Sequence, residues 1–285
     1  MRFGVIDIGS NSVRFMLSED GVTKYKKVIT TKLAKGMKDK MLSNEAVERT
    51  VRAVSFFVEH ALQEKVDKTL CYATAAVRSA NNKEYFLKQV KKACGLDVEV
   101  VDGKTECLLG LMGACEGKDG AIIDVGGAST EIAVIKGGKV IYSHSLDVGA
   151  VKLTDAFLQN RENAQKCLLT LVKEYGDVPA VNVKGIGGTA TTVSAVLQEL
   201  EIYDPLKVDG SFVSLKDLSS LIDSLYSMTI EERKKLKGLQ PERAEVIGNG
   251  CLILLSVMQY LGIDGITVSE KDNLEGYLNY YLERR

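Results

Sequence analysis

The apolar stretches at the start of the chain are short and broken by turn residues, which predicts strands. Residues 3–18 read as two strands joined through Gly9-Ser10-Asn11, and Glu19-Asp20-Gly21 turns the chain into a third strand over 23–30. This is an antiparallel meander. The period then becomes helical: Val47, Val51, Val54 and Val58 keep helical spacing in a helix over about 44–64, with Ser43 as its cap. A strand at 69–73, a helix near 83–94 and a strand at 98–101 complete an alternating order, which predicts a mixed sheet flanked by helices.

The pattern starts again at Ala121. Ala121-Ile122-Ile123-Asp124-Val125-Gly126-Gly127-Ala128-Ser129-Thr130-Glu131-Ile132 repeats the layout of Gly4-Val5-Ile6-Asp7-Ile8-Gly9-Ser10-Asn11-Ser12-Val13: strand, aspartate, glycine turn, hydroxyl residue, strand. A third strand, 140–145, again follows. One supersecondary unit used twice predicts two similarly built domains with a boundary near 117–120. The first is 1–117 plus about 270–285, and the second is 118–269. Downstream, helices are expected near 151–158 and 164–175, a strand at 180–186, and a helix after Thr189-Ala190-Thr191. Helices over 215–226, 230–237 and 241–261 follow, with Thr229 and Glu232 as a capping box and Pro241 at a first helical position. A last strand, 265–269, leads into a terminal helix that packs back on the first domain.

Composition narrows the class. At 285 residues, with 45% hydrophobic and 26% charged residues and three prolines, the chain is folded and long enough for two cores. The amino terminus meets Asp7 too soon for a signal peptide, and no apolar run reaches the roughly 20 residues of a membrane span, so a cytoplasmic protein without a membrane partner is expected. The six cysteines form no C-x-x-C pair and His60 and His144 stand far apart, which excludes a disulfide framework and a zinc site. Covalent catalysis through a Cys/His or Ser/His/Asp set is weakened on the same ground. The net charge of −1 does not attract polyanions as a nucleic-acid-binding domain does, so no nucleic-acid partner is expected and any anion site must be local. Lys35, Lys38 and Lys40, and the run Arg233-Lys234-Lys235-Leu236-Lys237, read first as solvated faces; flanking such a site is the alternative.

Three glycine turns carry the candidate chemistry: Gly9-Ser10-Asn11-Ser12, Gly126-Gly127-Ala128-Ser129 and Gly187-Gly188-Thr189. Glycine lets backbone come close to a ligand, so that successive N–H groups converge on phosphate oxygens. The third turn also opens a helix, whose free N–H groups and dipole favour an anion. Asp7 and Asp124 end apolar strands, where a carboxylate is costly to bury alone. They are candidate ligands of Mg²⁺ or Mn²⁺, direct or through water, and hydrogen bonding to their own turns is the alternative. Glu131, after the second turn, is placed to support Asp124 or hold the metal's water. Arg78 follows a strand and a small-residue turn, from which its fork could hold phosphate oxygens; a surface ion pair is the other reading.

These turns, with Thr74-Ala75-Ala76-Val77-Arg78, Gly103-Lys104-Thr105-Glu106-Cys107, Gly238-Leu239-Gln240-Pro241-Glu242-Arg243-Ala244 and residues 269–276, resemble the exopolyphosphatase and guanosine pentaphosphate phosphohydrolase family of the actin, Hsp70 and sugar-kinase superfamily. The likeness covers essentially the whole chain. It implies an α/β fold of two actin-like (ribonuclease H-like) domains, each a mixed sheet flanked by helices, with an interdomain cleft that closes over substrate. It also implies release of terminal orthophosphate from polyphosphate or guanosine pentaphosphate. Glu106 matches the family's general base; read locally, it is a first-turn carboxylate favourable to a helix dipole, with Thr105 as the cap. The chain departs from the family pattern at Thr105, Cys107, Ala128, Glu270 and the segment Asn273-Leu274-Glu275-Gly276, where an arginine is missing. A kinase-like phosphotransferase and a non-catalytic sensor of guanosine tetra- or pentaphosphate are the rivals. The sequence ranks neither substrate above the other and leaves a homodimer open.

Overall fold

The fold is taken from a computed structural model and is described for residues 1–179 and 182–284. Packing divides it into two units, Met1–Glu106 with Tyr277–Arg285, and Cys107–Gly276. The sequence reading put these passages at about 117 and 270; the packing puts them at 106/107 and 276/277.

In the first unit, β1 (Arg2–Ile8), β2 (Ser12–Glu19) and β3 (Val22–Thr30) form the meander. Helix α1 (Asn44–Gln63) follows, then β4 (Lys68–Ala73), α2 (Ala75–Ser79), α3 (Lys83–Cys94), β5 (Glu99–Val100) and the start of α4 (Gly103–Ala114). The sheet order is β3-β2-β1-β4-β5, with β1 antiparallel to β2 and parallel to β4. Central β1 is buried on both faces from Phe3 on, which is why it reads as one continuous apolar run. The Ser43 hydroxyl accepts from Ala46 N–H and caps α1, a contribution of about 1 kcal/mol. The helix buries Val47, Val54 and Phe57, and Phe57 stacks on Phe15 with ring centroids 5.5 Å apart. Tyr277 stacks on Tyr72 at 4.3 Å and donates to Glu99, so the end of the last helix belongs to this unit, as its sequence predicts.

The second unit repeats the meander with β6 (Gly120–Val125), β7 (Thr130–Lys136) and β8 (Lys139–Leu146). Then come α5 (Ala150–Phe157), α6 (Arg161–Leu171), a 3₁₀ turn (Val172–Tyr175), β9 (Val183–Ile186) and α7 (Gly187–Leu197). The chain continues through α8 (Pro205–Val208), β10 (Phe212–Ser214), α9 (Leu215–Ser227), α10 (Ile230–Arg233), a 3₁₀ turn (Pro241–Arg243), α11 (Ile247–Leu261), β11 (Gly265–Val268) and α12 (Asn273–Glu283). The sheet order is β10-β11-β9-β6-β7-β8, so the run β8-β7-β6-β9 matches β3-β2-β1-β4 in order and direction. Helix α11 is apolar all round and buried from Ile247 to Met258, the mark of a helix inside a core.

Several elements depart from the sequence reading. The strand expected over 180–186 is seen from Val183; Ala180 and Val181 lie outside the described residues. Helix α7 takes in both glycines, because β9 runs into it with no loop between. The capping box at Thr229 and Glu232 is present, but α10 makes a single turn. Pro241 opens a 3₁₀ turn separate from α11: Arg233 is buried there, and its guanidinium draws the Ala244 carbonyl at 3.4 Å and the Leu225 carbonyl at 2.7 Å. Helices α2 and α8 and strand β10 were not expected; each is five residues or fewer, too short to show a period.

Candidate active site

In the first unit Glu106 stands in the first turn of α4. Asp102, not Thr105, caps that helix: its carboxylate accepts the Thr105 N–H at 2.7 Å, and aspartate is the stronger N-cap. The Glu106 side chain is buried, and Arg78 Nη1 donates to its Oε2 at 2.7 Å and to the Val101 carbonyl at 3.0 Å. Burial pushes the Glu106 carboxyl above the usual carboxylate range; Arg78 and the Thr74 hydroxyl pull the other way, and nearby Asp7 adds to the rise. Arg78 thus makes an ion pair through one nitrogen, a largely buried pair with the candidate base.

Asp7 pairs across the sheet with Arg14, whose Nε and Nη2 reach Asp7 Oδ2 at 2.9 and 2.5 Å. The guanidinium neutralises this carboxylate on the spot. In the second unit the same register brings Asp124 opposite Glu131. Paired antiparallel residues project from one face with Cβ atoms about 4.5–5.5 Å apart, and like charges placed so repel. Both carboxylates are buried. Ser145 donates to Glu131 Oε1 at 2.6 Å, Asn273 Nδ2 donates to Asp124 Oδ2 at 3.2 Å, and Asn273 Oδ1 is buried without a hydrogen-bond partner. Asn273 turns its amide nitrogen to Asp124, while its oxygen lies toward Gly110; the two opposed carboxylates alone supply oxygen donors of the kind that suit a hard cation keeping several waters. Among the described residues no group of three or more His, Cys, Asp or Glu side chains is placed to hold a metal.

The two homologous turns close alike. Gly9 N–H donates to the Ser12 carbonyl and Gly126 N–H to the Ser129 carbonyl, both at 3.0 Å. The N–H groups of Ser10 and Asn11, and of Gly127 and Ala128, donate to no described residue. Ala128, a departure from the family pattern, thus still presents its N–H. Ser10, Ser12 and Ser129 are buried in their turns.

The third turn is covered by side chains. Gly187 has φ +73°, and a Cβ there would lie 2.3 Å from Asp124 Oδ1. A Cβ on Gly188 would lie 2.3 Å from the Arg243 guanidinium. The Thr189 hydroxyl donates to the Val125 carbonyl at 2.8 Å, tying α7 to the second turn. The first unit thus gathers Asp7, Arg78 and Glu106; the second gathers Asp124, Glu131, Gly187 and, through Thr189, the turn at Gly126. Sequence reasoning missed Arg14, Ser145, Arg243 and Asn273 as neighbours of these residues. Arg14 and Ser145 could have been found by counting register from the hairpin turns; Arg243 and Asn273 come from distant segments and leave no local signal.

A profile of the Ppx/GppA phosphatase family matches residues 21–284. The chain is 31% identical, over 98% of its length, to a bifunctional 3-dehydroquinate synthase/phosphatase of Fusobacterium nucleatum, and spans only 46% of that protein. It is 30% identical to exopolyphosphatase 2 of Mycobacterium tuberculosis, covering 96% of this chain and 97% of the relative. The solved structure of the Aquifex aeolicus PPX-GPPA enzyme superposes with a TM-score of 0.79 at 30% identity, covering 98% of each chain.

Proposed function

The chain belongs to the Ppx/GppA phosphatase family, and we propose that it hydrolyses the terminal phosphoanhydride of linear polyphosphate or guanosine pentaphosphate, releasing orthophosphate. The observation that carries this reading is the pair of homologous turns, each presenting two successive backbone N–H groups that no described residue uses. Such groups orient and clamp phosphate oxygens without further rearrangement.

Glu106 takes the proton of the attacking water. Its burial raises its affinity for that proton, and the ion pair with Arg78 opposes part of that rise and fixes the carboxylate in direction. Asp124 and Glu131 hold Mg²⁺ or Mn²⁺, with Ser145 fixing the Glu131 oxygen and Asn273 the Asp124 oxygen. The cation, when bound, supplies positive charge against the phosphoryl oxygens. Asp7 fixes Arg14 beside the first turn through its Oδ2. Thr189 and Arg243 brace the third turn, where the guanidinium over Gly188 adds a second positive charge for the leaving phosphates.

The deciding experiment measures orthophosphate from polyphosphate and from guanosine pentaphosphate side by side, with Mg²⁺ and after exhaustive EDTA treatment. Release from at least one substrate that EDTA abolishes is expected. No release from either, or release that EDTA leaves intact, would overturn the reaction or its metal.

A further inference from the structure

Residues 22–41 carry seven lysines and one acidic residue, Asp39, a charge of +6 in a chain whose net charge is −1, so the other residues together carry −7. So strong a reversal of sign is a local electrostatic feature, since the protein as a whole is close to neutral. The loop that follows β3 is built directly on the first glycine turn. Thr31 and Lys32 N–H donate to the Asn11 carbonyl at 3.0 and 2.8 Å, and Ala34 N–H donates to the Ser10 carbonyl at 2.8 Å. The buried side chains of Thr31, Leu33 and Ala34 anchor it, a bridge between Lys38 and Met41 closes it, and Lys35, Lys38 and Lys40 are exposed. On β3, Lys26 opposes Met16 and lies two positions from Val28, which opposes Arg14; Lys26 therefore shares a sheet face with Arg14 and Asp7.

The carbonyls of Ser10 and Asn11 are thus occupied by the lysine loop, while the N–H groups of the same two residues are not used. One turn holds the loop on its carbonyl side and offers phosphate donors on its amide side. We propose that Lys35, Lys38 and Lys40, continued by Lys32 and Lys26, form a distal site for the body of a linear inorganic polyphosphate chain. This rests on the reaction proposed above. Lysine ammonium groups are mobile point charges, suited to a repeating anion with no fixed orientation, whereas recognition of a guanine would call for a planar stacking partner. Residues 31–41 contain no aromatic side chain.

The test compares the parent with the triple variant Lys35→Gln/Lys38→Gln/Lys40→Gln, all exposed positions outside the reacting centre. KM for long-chain polyphosphate should rise about tenfold or more, while kcat/KM for tripolyphosphate and for guanosine pentaphosphate stays within about twofold of the parent. The slope of log KM for the long chain against log salt should flatten by about two, at roughly 0.7 per cationic contact removed. Parallel changes on long and short substrates, a matching loss on guanosine pentaphosphate, or no change at all would each overturn the site. Equilibrium binding of long-chain polyphosphate, measured with both proteins carrying Glu106→Gln, separates this inference from the reaction. If the parent releases no phosphate from any substrate but the triple variant still binds the chain more weakly, the site stands and the reaction falls.

Discussion

Glu106 sits under two opposed influences, desolvation that favours its neutral form and the Arg78 guanidinium that favours its charge, and burial prevails. With Glu106 as the proposed base, its raised pKa would set the acid limb of the reaction: the base form is present above that pKa and is lost as pH falls through it. Replacing Arg78 by Met removes the influence that lowers the pKa, so the acid limb of log kcat/KM should move to higher pH; a limb that stays in place, or moves down, would show that Arg78 does not act through Glu106. Glu106→Gln keeps size and hydrogen bonding but cannot accept the proton, and turnover should fall about 10²–10⁴-fold with substrate binding retained. A folded variant keeping more than about a tenth of parental turnover would rule out the assignment. How much of this was legible differs by residue. Local sequence marks Glu106 only as a helix-start carboxylate, and the family resemblance alone singled it out. Its pairing with Arg78 joins residues 28 positions apart, and no periodicity carries that information.

Helix α4 and the start of α12 meet backbone to backbone. A Cβ on Gly276 would lie 1.8 Å from the Leu109 carbonyl, and one on Gly113 would lie 1.9 Å from the Asp272 carbonyl. Neither clash can be relieved by turning a side chain. Gly276→Ala should therefore destabilise by about 1–3 kcal/mol, lowering the melting temperature by about 2–4 °C for each kcal/mol. Calorimetry showing an unchanged melting temperature would refute so close an approach. At the start of α7 the same reasoning gives a functional effect: Gly188→Val must displace the Arg243 guanidinium, so KM for the phosphate substrate should rise several-fold in a folded protein, and Arg243→Met should raise it similarly. If only the glycine variant loses affinity, the glycine itself meets the ligand. The long periodic elements α1 and α3 and the two meanders were readable from the chain, because turn residues and helical spacing bound them. The single-turn elements and the break before α11 were not, since tertiary partners such as Arg233 decide them.

Across the molecule the duplicated unit has kept its geometry and changed its charge. Both copies place an aspartate at the end of a central strand, both close the turn with the same N–H to carbonyl bond, and both pair that aspartate with the residue seven positions on. In the first copy that residue is Arg14 and in the second it is Glu131. The sequence displays the repeat, and it also displays this exchange, but only register shows that the two residues are equivalent and that each faces its aspartate. The first copy sets a guanidinium against its aspartate, whereas the second sets two buried carboxylates opposite each other, an arrangement that the proposed cation would relieve. A ligand that binds only the folded form stabilises the elements around its site. Mg²⁺ should therefore slow amide hydrogen exchange in the β6–β7 hairpin and the first turn of α7, and leave the β1–β2 hairpin unchanged. Asp124→Asn removes one of the two charges: without metal the variant should melt at or above the parent temperature, and it should lose the Mg²⁺-dependent protection. Mass-spectrometric exchange showing equal Mg²⁺ protection in both hairpins, or protection that survives Asp124→Asn, would contradict a metal site confined to the second copy.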